Sequence, residues 1–321
     1  MSNSYRLVSY RGKYALSFGQ PAVRRSLGTN DRGLAEERAA RLWATINGTK
    51  SEKVEDLWNA YVADRLPEVV DKNRFSSTWK ALAPHFGYKV GSTINKADCL
   101  AYRAARQAQG RADSTIRTEL EYLRACINHR YGKGNNSVWL PPASKPRAHY
   151  LTKGELEVLL DVVESPHVRL FIVLAITTGA RMTALLELKW DMVDFAHGTL
   201  DLNPAGRVIT NKHRVVVPIN QRARLELEIA YAGRLSPFVI EYGGRPIASI
   251  KKAIRAAAAR ANLQCSPHVF RHSAGVWMAQ ANIPMQKIAQ YLGHTTTRVT
   301  ERVYARYSPT FQRDAAEALE F

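Results

Sequence analysis

In the second half of this 321-residue chain, five side chains that can hold an anion, move a proton or attack an electrophile stand at distinctive points of a helical pattern. Gly179 ends one helical run and Arg181 follows at once, before Leu185, Leu186 and Leu188 resume helical spacing, so the guanidinium stands at a tight helix-to-helix corner. Ser266-Pro267-His268 reads as N-cap, first helical position and first turn, and Arg271, three residues on, shares the face of His268. Pro284 opens a further helix carrying Ile288, Tyr291 and Leu292; Gly293 terminates it and leaves His294 just past the end, with Tyr304 ten residues beyond. Paired guanidinium groups make charge-assisted hydrogen bonds to anionic oxygens, imidazoles move protons near neutral pH, and a phenol becomes a nucleophile once a base or a cationic site favours phenolate. Taken singly, each residue has a plainer reading: an arginine at a helix corner is ordinarily a carbonyl cap or a surface charge.

What must position these groups is a chain too long for one hydrophobic core, so two domains are expected, with room for a small third. Its 46 Lys and Arg outnumber 28 Asp and Glu for a formal charge of +18, which favours a polyanionic partner, nucleic acid first. The excess is spread evenly: residues 1–50 carry 9 basic and 3 acidic groups, 51–149 carry 16 and 10, and 150–321 carry 21 and 15. That spread fits a ligand wrapped by every domain better than a basic tail. Cys99, Cys126 and Cys265 are odd in number and include no Cys-x-x-Cys pair, so neither a disulfide framework nor a zinc ribbon is indicated. The longest apolar run, Leu170 to Ile176, is too short to cross a bilayer, and the N-terminus lacks a secretory pattern. A soluble protein of a reducing cytoplasm is the expectation.

The first fifty residues alternate as strands do, with Tyr5 and Leu7, then Tyr14, Leu16 and Phe18 around an Arg11-Gly12 turn, and Val23 to Leu27 as a third strand. Asn30 or Asp31 then caps a helix whose Ala35, Ala39, Leu42, Trp43 and Ile46 share one face, before Asn47-Gly48 stops it. From Glu52 to Tyr131 the pattern is helical; Arg103, Arg106, Arg111, Arg117, Arg124 and Arg130 along it suit DNA-facing surfaces and ordinary solvated faces equally. Gly132 to Pro146 can sustain neither helix nor central strand and is the best boundary in the chain. Beyond it, Thr152, Gly154 and Glu155 open a helix and a largely buried one follows around Leu170 to Thr178.

In order and approximate spacing, Thr178-Gly179-Ala180-Arg181, His268-Val269-Phe270-Arg271-His272, Leu292-Gly293-His294 and Tyr304 resemble the motif boxes of the tyrosine recombinases, the phage-integrase family. The resemblance covers roughly residues 150–310, and the upstream segments are similar in kind to that family's DNA-binding domains. It implies a multidomain chain, mainly α with small β elements. An arm-type DNA-binding domain of small β-sheet plus helix would occupy 1–50, a helical, SAM-like core-binding domain 51–149, and a mixed α+β catalytic domain 150–321. The function implied is that of a site-specific recombinase of a prophage or related mobile element in a bacterial cytoplasm. Its partners would be double-stranded core-type and arm-type attachment sites, three further copies in a homotetramer, and accessory DNA-bending and directionality proteins, with no membrane.

By this resemblance Tyr304 attacks a phosphodiester, His268 accepts the phenol's proton, Arg181 and Arg271 hold the non-bridging oxygens, and His294 donates a hydrogen bond to one of them. A phenol with an ordinary pKa near ~10 needs that help at neutral pH, and two guanidiniums match the charge that builds on the phosphate. The phosphotyrosine retains the bond energy, so no ATP is needed, and the arginines neutralise the charge, so no metal or other cofactor is called for. The family draws the leaving 5′ oxygen's proton from a lysine on a β-hairpin; here Val208-Ile209 and Val215-Val216-Val217 read as its strands, with Lys212 in the turn Thr210 to Arg214. Ala184 stands where the family often carries an acidic group, which leaves Glu187 or a residue from elsewhere to orient Arg181. Tyr307, one helical turn on, and Tyr291 are the alternative nucleophiles.

Three other readings share parts of the pattern. His268 and His272, four apart, could face a metal in a nuclease, although no zincin glutamate lies between them. A non-catalytic DNA-binding regulator accounts for charge and helices but not for five ordered residues. A type IB topoisomerase would use similar chemistry without the small N-terminal unit. Finally, Phe311, Ala315 and Leu319 recur every four residues as an apolar stripe on a short C-terminal helix, which either docks on a neighbouring protomer or packs behind its own active site.

Overall fold

The structure, a computed structural model, describes residues 5–19, 22–48, 52–69, 72–134, 136–143, 149–204, 206 and 213–320. It forms two compact units, Met1–Lys145 and Pro146–Phe321, whose division falls in the Gly- and Pro-rich stretch.

The first unit begins with an antiparallel sheet of β1 (Arg6–Tyr10), β2 (Lys13–Phe18) and β3 (Val23–Ser26) in that order. Tyr10 pairs with Lys13 across Arg11-Gly12, whose φ values of 55° and 74° are the two positive angles of a hairpin turn that follows the sheet's twist. Asp31 Oδ1 accepts from the Leu34 amide at 2.7 Å and opens α1 (Arg32–Gly48). Ala35, Ala39, Leu42 and Ile46 bury against Leu16 and Leu27. A separate core holds α2 (Val54–Arg65), α3 (Asn73–Phe86), α4 (Lys96–Ala108) and α5 (Asp113–Tyr131) together through Leu57, Trp58, Phe75, Leu82, Ile116, Leu120 and Leu123. Glu119, buried in it, accepts from Tyr102 Oη at 2.6 Å and from both Nε and Nη2 of Arg106 at 3.1 and 2.6 Å. Arg103 grips Asp113 with two bonds, and Arg117 donates to the Pro141 carbonyl. Arg103 and Arg106 therefore serve the packing of the unit, because a buried or half-buried carboxylate needs a paired cation, and Arg117 ties α5 to the segment at Pro141.

The second unit opens on α6 (Lys153–Asp161), where Thr152 and Glu155 form a reciprocal capping box. Its axis is α7 (Pro166–Thr178), buried almost all round and packed on α9 (Gln221–Ala232) and α11 (Pro267–Gln280). The short α8 (Met182–Leu186) follows α7 directly. Strands β4 (Val193–Asp194), β5 (Thr199–Asp201) and β6 (Val216–Pro218) form an antiparallel sheet, and β7 (Glu241–Tyr242) pairs with β8 (Arg245–Pro246). Then come α10 (Lys251–Arg260), α12 (Met285–Leu292), α13 (Thr297–Tyr304) and α14 (Arg313–Glu317). The expected strand over Val215 to Val217 falls on β6, which pairs with β5: fully buried Leu200 faces Val217, and burying that pair fixes the register. Val208, Ile209 and Lys212 lie outside the described residues. Among the described residues no helix is long and apolar enough to cross a membrane.

Candidate active site

Two left-handed glycines set up the site. Gly179 ends α7 at φ 60°, and a Cβ there would stand 2.5 Å from Leu292 Cδ2, so both the backbone and the close approach of α12 require glycine. Gly293 ends α12 at φ 65° with the His213 carbonyl oxygen 2.9 Å from where its Cβ would lie. Between these ends reaches Arg271 from α11, 5% exposed, donating from Nη1 to the Gly179 carbonyl at 2.7 Å and from Nη2 to the Leu292 carbonyl at 2.6 Å. The guanidinium thus caps two helix C-termini, where the backbone dipoles favour a cation. Burial first, and then the charge of Arg181, push its pKa down to about 10, with Tyr304 opposing, so the group stays charged at neutral pH. Two of its five N–H donors' directions are spent on backbone and the rest remain for a ligand.

Arg181, the residue before α8, donates from Nη1 to the His213 carbonyl at 3.0 Å. Of the two expected sources of an orienting group, Glu187 or a residue from elsewhere, Glu187 is engaged with another cation: its carboxylate accepts from Arg214 Nη2 at 2.6 Å. Glu187 is the C-cap of the five-residue α8, more than a turn past Arg181, and β6's approach puts Arg214 beside it. His294, just beyond Gly293, sets Nδ1 2.8 Å from Oγ1 of buried Thr300 on α13. When that hydroxyl donates, Nε2 carries the imidazole proton. Burial, then Arg271 and Arg181, hold the His294 pKa down at about 4, so the ring is neutral at pH 7. His268 is exposed in the first turn of α11. Tyr304, last residue of α13, is 5% exposed; burial raises its pKa, Arg271 pulls it back and Tyr307 adds to the rise.

Arg181, His268, Arg271, His294 and Tyr304 all line one cleft of about 1030 Å³, together with His149, Arg255 and His272. Lys212 cannot be placed relative to it, being outside the described residues. Tyr304 is the one of the three candidate tyrosines that lines this cleft. Tyr291 donates its hydroxyl to the Thr177 carbonyl at 2.6 Å, and Tyr307 packs edge-on against Tyr150 and accepts from Arg306. Thr300 and Arg255 join the site only where α10, α12 and α13 converge, and no local sequence pattern marks either residue. The C-terminal stripe is corrected in part. Phe311 and Leu319 flank α14 instead of lying on it, because Ser308 and Thr310 both bond to Asn282 Oδ1 at 2.9 Å and hold the chain in turns until Arg313. Both side chains are solvent-facing, Leu319 at 77%.

A family model described as the phage integrase family matches residues 149–310. An integrase of Streptomyces ambofaciens is 26% identical over 303 residues, covering 80% of this chain and 76% of its own. The tyrosine recombinase XerA of Pyrococcus furiosus is 25% identical over 232 residues, covering 68% of this chain and 79% of its own. In fold, the chain is similar to a lambda integrase solved as a tetramer bound to a Holliday junction, with a TM-score of 0.65 and 18% identity over 96% of this chain and 95% of that one.

Proposed function

Because the chain belongs to the phage integrase family, we propose that it is a site-specific DNA recombinase that cuts and rejoins DNA of a prophage or related mobile element through a 3′-phosphotyrosine at Tyr304. The observation that carries this reading is the convergence of Arg181, His268, Arg271, His294 and Tyr304 on one cleft from four separate helices and the turns at their ends. Tyr304 Oη attacks phosphorus, the bond from phosphorus to the 5′ oxygen breaks, and the phenol's proton passes to His268. Arg181 and Arg271 hold the non-bridging oxygens, where each donor counts most as charge builds in the transition state. His294 donates from Nε2 to the same phosphate. Lys212 supplies the proton to the departing 5′ oxygen. Attack by a second 5′ hydroxyl on the phosphotyrosine reverses these moves and joins the new strand.

Residues 1–50 serve as an arm-type DNA-binding domain, 51–149 as a core-binding domain and 150–321 as the catalytic domain. The separate cores around Leu16 and around Trp58 support the division of the first unit. Exposed Phe311 and Leu319 support a tail that docks on a neighbouring protomer within a tetramer on DNA, the assembly in which the lambda relative was solved. The test is a nicked duplex carrying the chain's own attachment core, which traps any covalent intermediate because the cleaved fragment diffuses away. Tyr304→Phe should bind this duplex and form no adduct; an adduct from that variant would overturn the assignment.

A further inference from the structure

The ring of Tyr304 lies against a glycine. Gly275 lies in the middle of α11, one helical turn past Arg271, and is fully surrounded by protein. A Cβ built there would stand 2.4 Å from Tyr304 Cζ, 2.5 Å from Cε1 and 2.9 Å from the phenolic oxygen. Glycine weakens a helix interior, so one kept there marks a close approach. Gly154, in the first turn of α6 where the interior cost does not apply, shows the contrast, since a Cβ there would meet nothing within 4 Å. Beside this floor, the His272 ring lies 5.4 Å from the Tyr304 ring at 32°, a tilted stack. Its buried Nε2 makes no hydrogen bond among the described residues, so what His272 offers Tyr304 is a flat face. Val276, Ala279, Ile288 and Leu292 complete the cluster in which the phenol ring is buried.

We infer that Gly275 and His272 are positioning residues that hold the Tyr304 ring against α11 in its attack position. This rests on Tyr304 being the nucleophile. Arg271 and His268 project from the same helix, so a ring pressed onto its backbone has its oxygen fixed relative to the phosphate-binding arginine and the proton acceptor by one rigid element. Any side chain at position 275 lifts the ring from that element. The atoms it would strike belong to the ring itself, so the ring and the short α13 that carries it give way before α11, which is packed on α7.

The test uses the full chain on its nicked core duplex. Gly275→Ala should bind the duplex as wild type does and form the adduct about a hundredfold more slowly, the scale of a misplacement near one ångström in a reacting pair. The same variant should expose the displaced phenol, so that tetranitromethane nitrates Tyr304 faster than in wild type without DNA present. A second pair of variants separates seating from general damage. With Tyr304→Gly, hydrogen peroxide serves as an external nucleophile, and adding Gly275→Ala to that background should leave peroxide-supported cleavage unchanged, because only the seat of an absent ring is altered. Equal loss in both backgrounds would overturn the inference, as would wild-type adduct formation by Gly275→Ala. His272→Phe should keep adduct formation where His272→Ala loses it; a phenylalanine variant as inactive as the alanine one would remove His272 from the seat. An adduct formed by Tyr304→Phe would instead mark the failure of the nucleophile assignment itself.

Discussion

Truncating Arg271 to alanine removes a guanidinium with two jobs, and Arg181→Ala provides the comparison that separates them. In the proposed reaction each arginine supplies donors to the attacked phosphate, so each truncation should slow adduct formation a hundredfold or more, on the order of 3 kcal/mol. Their structural duties differ. Arg271 is 5% exposed and satisfies the carbonyls at the ends of α7 and α12. Leaving a buried carbonyl without a donor costs roughly 1–3 kcal/mol, so two such losses, partly offset by removing a buried charge, amount to about 2–5 kcal/mol. In a unit of this size each kcal/mol moves the melting temperature by roughly 2–4 °C, which gives a fall of about 4–20 °C. Arg181 is half-buried, and its bond to the His213 carbonyl is worth about 1 kcal/mol, so its loss should lower the melting temperature less than the loss of the double helix cap does. Adduct formation on the nicked core duplex, measured beside thermal unfolding of both variants, tests this. Equal melting temperatures for the two, or an Arg181→Ala enzyme cleaving within a factor of a few of wild type, would refute the reasoning.

His294 should give a proton-linked signature. Its folded pKa of about 4 lies below the ordinary ~6.5 of histidine, so its contribution to stability is complete above that ordinary value and is lost as pH falls toward 4. A bound phosphate opposes the two arginine charges and raises the value again, so DNA binding at pH 5 to 6 should take up a proton, seen by calorimetry in buffers of different ionisation enthalpy. Unchanged uptake in His294→Ala would contradict this. Lys212→Ala should cleave slowly, with the loss rescued on a substrate whose 5′ leaving group is a sulfur; equal impairment on both substrates would argue against a general-acid lysine. Truncation after Ser308 keeps the Asn282 anchor at Ser308 and removes Phe311 and Leu319. It should spare single-site binding and impair synapsis and strand exchange, and full recombination by the truncated chain would show that the tail is no connector.

The parts of the molecule governed by local rules were legible in the sequence. Asp31, Thr152 and Pro267 start helices and Gly179 and Gly293 end them, because capping and left-handed backbone are decided within a turn of the residue. That is also why His268 and Arg271 could be placed on one face. The pairing of Glu187 with Arg214 was not legible, since it depends on where β6 approaches α8. Nor was the pairing of β6 with β5, whose strands are three residues each and separated by a long connection. The double cap made by Arg271 spans 92 residues to Gly179 and 21 to Leu292, which no periodicity reveals. Gly275 did leave a signal, a glycine inside an otherwise good helix, but its cause lies in the ring of Tyr304 arriving from α13.

In the proposed reaction one oxygen, that of Tyr304, becomes bonded to DNA. Trapping the wild-type chain on a nicked duplex of its own attachment core, digesting the complex and locating the nucleotide-bearing residue by mass spectrometry measures this directly. The expected result is a single modified peptide with the nucleotide on Tyr304 through its 3′ phosphate. A nucleotide on Tyr307 or Tyr291, or no covalent product from protein that demonstrably occupies the site, would contradict the account.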